Sequence, residues 1–191
     1  MPISAIDPQT ALVVIDLQNG IVNRPQEEPD APRIADVVER SKALADAFRE
    51  HGLPVVLVNV AGAPAGRTDA PRRLPADAPA ELFALVQGLN SSSDDVLLTK
   101  HSVGAFATTD LDAALRGRGV TQLVLAGIST SAGVESTARN AHDLGYSVAF
   151  AVDAMTDLLP GAHAHSVAAV FPRFGETGTA QDVLALLSER A

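Results

Sequence analysis

The chain has 191 residues, enough for one domain with its own core. It is 47% apolar and 19% charged, outside the disordered class, and it has no cysteine, which excludes disulfides, thiolate metal sites and thiol nucleophiles. A formal charge of −9 repels phosphate backbones and anionic lipid heads, so neither nucleic acid nor a membrane is an expected partner.

The start, Met1-Pro2-Ile3-Ser4, has no basic n-region and no long apolar h-region. No signal peptide is expected, and the absence of disulfides agrees with a cytoplasmic location. No apolar run approaches the length of a membrane span.

In chain order, five short apolar runs read as strands: 11–15, 54–60, 96–98, 122–126 and 147–152. Each is rich in Val, Ile and Leu without clean polar alternation, the pattern of strands buried on both faces of a parallel sheet. Helical periodicity lies between them. Ile34, Val37, Val38, Leu44, Ala45 and Phe48 share one face, with Pro32 near the start and Gly52 past the end. A shorter helix is expected over 110–115, with Thr109 or Thr108 as N-cap. Another spans 132–144 and closes at Gly145, and the last covers 180–188, opened by Thr179-x-x-Asp182, a variant capping box. Residues 61–79 are rich in Pro, Gly, Ala and Arg and read as a long surface loop.

Alternating strands and helices predict one α/β domain, a three-layer sandwich with a doubly wound sheet and helices on both faces. Ligands of such sheets bind at the carboxyl ends of the strands, near the point where strand order reverses. The polar residues that follow the strands are therefore the candidates. Asp16 follows the first run, Lys100 the third, and Asp153 the fifth. After the fourth comes Gly127-Ile128-Ser129-Thr130-Ser131-Ala132-Gly133, a small-residue turn entering a helix. Taken singly, each has an ordinary reading. Strand-end Asp residues cap turns, a lone Lys is solvated, and Ser, Thr and Gly before a helix are capping chemistry. Asp153 is assigned a capping role of this kind. Isolated histidines such as His101, His163 and His165 are usually structural. It is the joint placement at successive strand ends that favours a site.

Three segments together resemble the isochorismatase-like, or cysteine hydrolase, family. They are Val13-Val14-Ile15-Asp16-Leu17-Gln18-Asn19, the stretch from Thr99-Lys100-His101 through Phe106, and the run from Ala126 through Gly133 to Arg139. The likeness continues through the closing Gly175-Glu176-Thr177-Gly178-Thr179. It implies a six-stranded, mostly parallel sheet, with a weak sixth strand near 174–177. It also implies an Asp/Lys pair and a cis peptide between Ile128 and Ser129; the placement of Asp16 and Lys100 after separate strands predicts that they lie within hydrogen-bonding reach or one bridging water.

The resemblance marks Asp16, Lys100 and the position of Gly133 as catalytic. It sets Gln18, Arg67, Phe106, Ser129, Thr130 and Ala132 around a small-molecule substrate. Arg67 offers a charge for a carboxylate, although a single loop arginine is more often simply solvated. Two departures are plain. Gly133 stands where most members have the nucleophilic Cys. The loop 61–79, where amidases of the family often hold a metal through Asp and His, has no His. Neither covalent amide hydrolysis nor a catalytic metal carries over, and no cofactor is expected.

The true isochorismatases also lack the Cys, because a vinyl ether is hydrolysed by protonation, which needs a general acid. Asp16 would be that acid, with a pKa raised in an apolar pocket. Lys100 would position it or bind a substrate carboxylate, and backbone N–H groups around Ala132 and Gly133 would favour an anion. The expectation is a cysteine-independent hydrolase of a small organic molecule, active as a homo-oligomer (dimer or tetramer). The alternatives are an inactive member that binds a small molecule or pairs with another subunit, or an amidase using Ser129, Thr130 or Ser131 in place of Cys.

Overall fold

The computed structural model describes residues 2–27, 29–69, 78–89 and 92–190. Its centre is a six-stranded sheet of β1 (Thr10–Ile15), β2 (Val55–Val60), β3 (Val96–Lys100), β4 (Gln122–Ile128), β5 (Ser147–Thr156) and β6 (Glu176–Gly178). The order is β3-β2-β1-β4-β5-β6 and every neighbouring pair is parallel. The chain runs outward from β1 to β3, then crosses back to β4 on the other side of β1. The sheet therefore reverses between β1 and β4, where a crevice opens at the carboxyl ends.

The alternation of side chains along the central strands feeds two cores. Leu12 and Val14 of β1 point to one face, with Val37, Leu44 and Phe48 of α2 (Ile34–Glu50) and Val183 and Leu187 of α6 (Ala180–Ser188). Ala11, Val13 and Ile15 point to the other, with Leu111 and Leu115 of α3 (Leu111–Arg116) and Ala138 and Ala141 of α4 (Glu135–Asp143). Phe150 and Phe171 stack in this second core, centroids 3.9 Å apart. Two short helices, α1 (Asn19–Val22) and α5 (Ala162–His165), follow β1 and β5.

β1 and β4 are buried throughout, as their unbroken apolar runs predict. β3 is not. It lies at the sheet edge, its burial alternates, and Leu97 is 57% exposed. An apolar run does not distinguish a central strand from an edge strand, because only the neighbours decide. β5 is longer than its sequence suggests and reaches Thr156, with a register shift against β4 between Leu125 and Gly127.

The helix expected over 132–144 opens instead with a π-helical turn, Thr130–Val134, before α4 begins. Val134 N–H donates back to the Ser129 carbonyl at 3.2 Å, the five-residue reach of that geometry. The capping box of α6 is complete: the Asp182 N–H donates to Thr179 Oγ1, and the Thr179 N–H to Asp182 Oδ2. Of the loop over 61–79, residues 70–77 lie outside the described residues, and Arg67 is exposed.

Candidate active site

β1 ends by delivering Asp16 to the crevice. Asp16 has φ +55°, a left-handed conformation that Asp tolerates better than most residues. Its N–H donates to the Val58 carbonyl, and its own carbonyl accepts from the Gln18 N–H, both at 2.8 Å. The strand is stopped there and the carboxyl group is fixed. Lys100, the last residue of β3, lies 1% exposed with its ammonium 2.8 Å from Asp16 Oδ2. The same ammonium donates to the Val103 carbonyl at 2.6 Å.

Burial is the dominant influence on Asp16. It raises the carboxyl pKa from 3.8 to about 6, while the Lys100 charge and hydrogen bond pull the other way. The folded chain thus holds this proton more tightly than the unfolded chain. The resulting stabilisation is complete below about pH 3.8 and is lost as pH rises through about 6. Asp16 Oδ1 is buried and makes no hydrogen bond, so one oxygen is anchored by the cation and the other is uncommitted.

Gly133 packs against this pair. A Cβ built there would lie 2.8 Å from Ile15 Cγ2, 3.1 Å from Lys100 Nζ and 3.3 Å from Asp16 Oδ2. Any side chain at this position would therefore point at the acid and the ammonium. The peptide between Ile128 and Ser129 is cis.

These groups border a cleft of about 280 Å³ at the carboxyl ends of β1, β3 and β4. Ser129 and Ala132 line it as well. The Ala132 N–H already donates to the Ser129 carbonyl at 3.1 Å. Two larger hollows lie at the other edge of the sheet, near the starts of β4 and β5 and near Pro54, away from the acid.

Of the other residues singled out from sequence, Ser131 lines the cleft and the rest lie elsewhere. Gln18 is fully buried. Its amide donates to the Val60 and Leu82 carbonyls and accepts from the Val60 N–H, bracing β1 against its neighbours. Phe106 packs on the second core with its ring 6.0 Å from that of Tyr146, and does not line the cleft. Arg67 does not line it either. Thr130 is fully buried with Oγ1 2.9 Å from His163 Nδ1, behind the cleft wall. Ser131 donates its N–H and hydroxyl to Asp157 Oδ2, both at 2.8 Å. Asp153 does cap, but at a distance: its Oδ1 accepts from Ala180 N–H at the start of α6.

Sequence reasoning missed several residues of the cleft, among them its two other charged side chains, Asp157 and Arg24. Asp157 is the true strand-end carboxylate of β5, hidden by the irregularity that carries the strand past Asp153. It accepts from Ser131 and from the N–H groups of Leu158 and Leu159, so it clamps the turn after β4 to the end of β5. Arg24 carried no sequence signal. Among the described residues, no group of three or more His, Asp or Glu could hold a metal, and no helix is long and apolar enough to cross a membrane.

A doubly wound parallel sheet with a buried acid and ammonium at its switch point is a Rossmann-like α/β enzyme framework. Residues 10–182 match the model of the isochorismatase domain, and the chain belongs to the isochorismatase family of hydrolases. It is 41% identical to the isochorismatase family protein YwoC of Bacillus subtilis over 92% of this chain and 93% of that one. It is also 41% identical to the solved structure of an isochorismatase family protein from Burkholderia thailandensis, which covers 97% of this chain and 99% of that one with a TM-score of 0.89. A ureidoacrylate amidohydrolase, RutB of Methylobacterium radiotolerans, is 33% identical over 71% of this chain and 63% of that one.

Proposed function

We propose that this hydrolase cleaves a vinyl ether, or a related acid-labile bond, in a small organic molecule, with Asp16 as general acid. The observation that carries the reading is the state of Asp16: buried, with a pKa of about 6 and one oxygen uncommitted, in a chain with no cysteine. A carboxylic acid near neutral pH suits proton delivery.

The steps follow from that state. Asp16 gives its proton to the terminal carbon of the vinyl group. The electron pair of the double bond forms the new C–H bond, and an oxocarbenium ion remains. Water adds to the cationic carbon and returns a proton to the Asp16 carboxylate, and the hemiketal collapses to a ketone and an alcohol. Lys100, 2.8 Å away, stabilises the carboxylate while the proton is gone. Asp157 holds the turn that carries Ser129 and Ala132 against the reacting region. The enzyme is proposed to act in the cytoplasm as a homo-oligomer.

A second reading has one observation in its favour, the likeness to an amidohydrolase. There Asp16 would act as a carboxylate base on water attacking an amide. Thr130 is buried behind the cleft wall and Ser131 is held by a carboxylate, which leaves neither well suited as a nucleophile.

The test is turnover of a panel of carboxyvinyl ethers, small amides and ureido compounds by wild type and Asp16→Asn. Asn is nearly isosteric but has no acidic proton. The expected result is vinyl ether turnover that falls by about 10²- to 10⁴-fold in the variant, with an unchanged circular dichroism spectrum. Near-normal turnover in folded Asp16→Asn would end the acid role. Binding without turnover of any panel member would favour a non-catalytic member instead.

A further inference from the structure

We infer that Thr137 is a positioning residue: its hydroxyl docks the loop after β3 onto α4 and so holds the Lys100 ammonium against Asp16. This rests on Asp16 and Lys100 being the reacting pair proposed above.

Thr137 lies in the first turn of α4 and is fully buried. A helical threonine can turn its hydroxyl back to the carbonyl four residues earlier, and Thr137 does so, donating to the Gly133 carbonyl at 2.7 Å. The same oxygen has a second partner that helix geometry does not supply. It accepts from the Ala105 N–H, 32 residues away in sequence, at 3.0 Å. One hydroxyl therefore joins the turn that carries Gly133 to the loop that follows Lys100. Both bonds are buried, so water does not replace the hydroxyl when it is removed.

That loop holds the ammonium from behind. Lys100 Nζ donates to the Val103 carbonyl at 2.6 Å, two residues before Ala105. Within the loop, Ser102 Oγ donates to the Gly104 carbonyl and lies beside the Thr108 hydroxyl, both at 2.8 Å, which ties the segment into one unit. Its approach to α4 is close. A Cβ at Gly104 would lie 2.8 Å from Asn140 Oδ1 and 3.2 Å from the Ser136 backbone. Gly104 permits the approach, and the Thr137 hydroxyl fixes it. If the loop lifts from α4, the Val103 carbonyl moves with it. The ammonium then loses a partner that keeps it 2.8 Å from Asp16 Oδ2.

The consequence is electrostatic. The Lys100 charge and hydrogen bond hold the Asp16 carboxyl below the value that burial alone would set. A displaced ammonium lets that value rise. The other charged side chains of the cleft stand on other elements: Arg24 follows α1 and Asp157 follows β5. His101, next to Lys100, is exposed, with Nδ1 3.1 Å from the Ala61 carbonyl oxygen.

The test follows the Asp16 side-chain carboxyl by carbon-13 NMR as pH is varied, in wild type, Thr137→Val, Thr137→Ser and Thr10→Val. Val keeps the shape of Thr without the hydroxyl, and Ser keeps the hydroxyl. Thr10 is also fully buried with its hydroxyl bonded inside the protein, but it opens β1 at the end away from Asp16. Thr137→Val should shift the Asp16 titration upward by about one pH unit, the effect of weakening a close opposite charge. Thr137→Ser should titrate as wild type. Thr10→Val should melt earlier and still titrate as wild type. An unmoved titration in Thr137→Val, or an equal shift in Thr137→Ser or Thr10→Val, would overturn the inference. If Thr137→Val does not fold, Gly104→Ala decides in its place, because its Cβ presses the loop away from Ser136. An upward shift is expected there too, and an unmoved titration would overturn the inference. The readout is titration and not turnover, so its outcome is separate from that of Asp16→Asn, which tests the acid role.

Discussion

At the scale of single residues, the site turns on a side chain that is missing. Gly133 brings the backbone close to Asp16 and Lys100, and a Cβ there would meet Ile15, the ammonium and the acid first. Gly133→Ala is therefore not a neutral enlargement. Its Cβ would press on Ile15 Cγ2 at 2.8 Å and on the ammonium at 3.1 Å. Overpacking of this kind costs about 1–3 kcal/mol. The variant should melt earlier, and its kcat should fall about tenfold or more as the acid and ammonium move apart. A variant with wild-type melting and kcat would show that the neighbours yield freely.

Asp16 and Lys100 are legible in the sequence because each directly follows an apolar run. Gln18 carries the same motif signal, yet its amide is consumed by backbone partners that come from 42 and 64 residues away. No local pattern shows such partners. The sequence points to Asp153 rather than Asp157 as the strand-end carboxylate for a related reason: the irregularity in β5 that separates them is set by pairing with β4.

At the scale of elements, the close approach of β4 to β1 decides whether the site can form. Gly127 pairs with Ile15 and has φ +117°. A Cβ there would collide with the Ile15 carbonyl oxygen and sit 2.6 Å from its nitrogen, backbone atoms that cannot swing aside. Gly127→Ala is expected to destabilise the fold by about 3 kcal/mol or more, from strain and clash together. Chemical denaturation checks it, and an unchanged midpoint would refute it.

The strands of the sheet centre are readable because burial on both faces removes the polar alternation. β6 has three half-buried residues and is visible in the sequence only through the family resemblance. The π-helical turn that opens α4 is not readable, since Ser, Thr, Ala and Gly are equally good at the start of an ordinary helix.

At the scale of the whole molecule, composition and alternation are sufficient for the architecture, and the reversal of strand order between β1 and β4 explains where the cleft lies. Of two larger hollows at the opposite edge, one holds the Arg49–Asp95 ion pair, but neither lies at the switch point. Size alone does not identify a site, and the chemistry at the switch point does. The buried acid beside the cleft suits the transfer of a proton to a small molecule held there.

The most direct measurement is the pH dependence of kcat/KM for the panel compound that wild type turns over. A general acid must hold its proton to act. With a pKa of about 6 in Asp16, the rate should be level below pH 6 and fall tenfold per unit above it. A rate that instead rises through pH 6 and levels above it would mean that the carboxylate is the active form, and would contradict the acid mechanism.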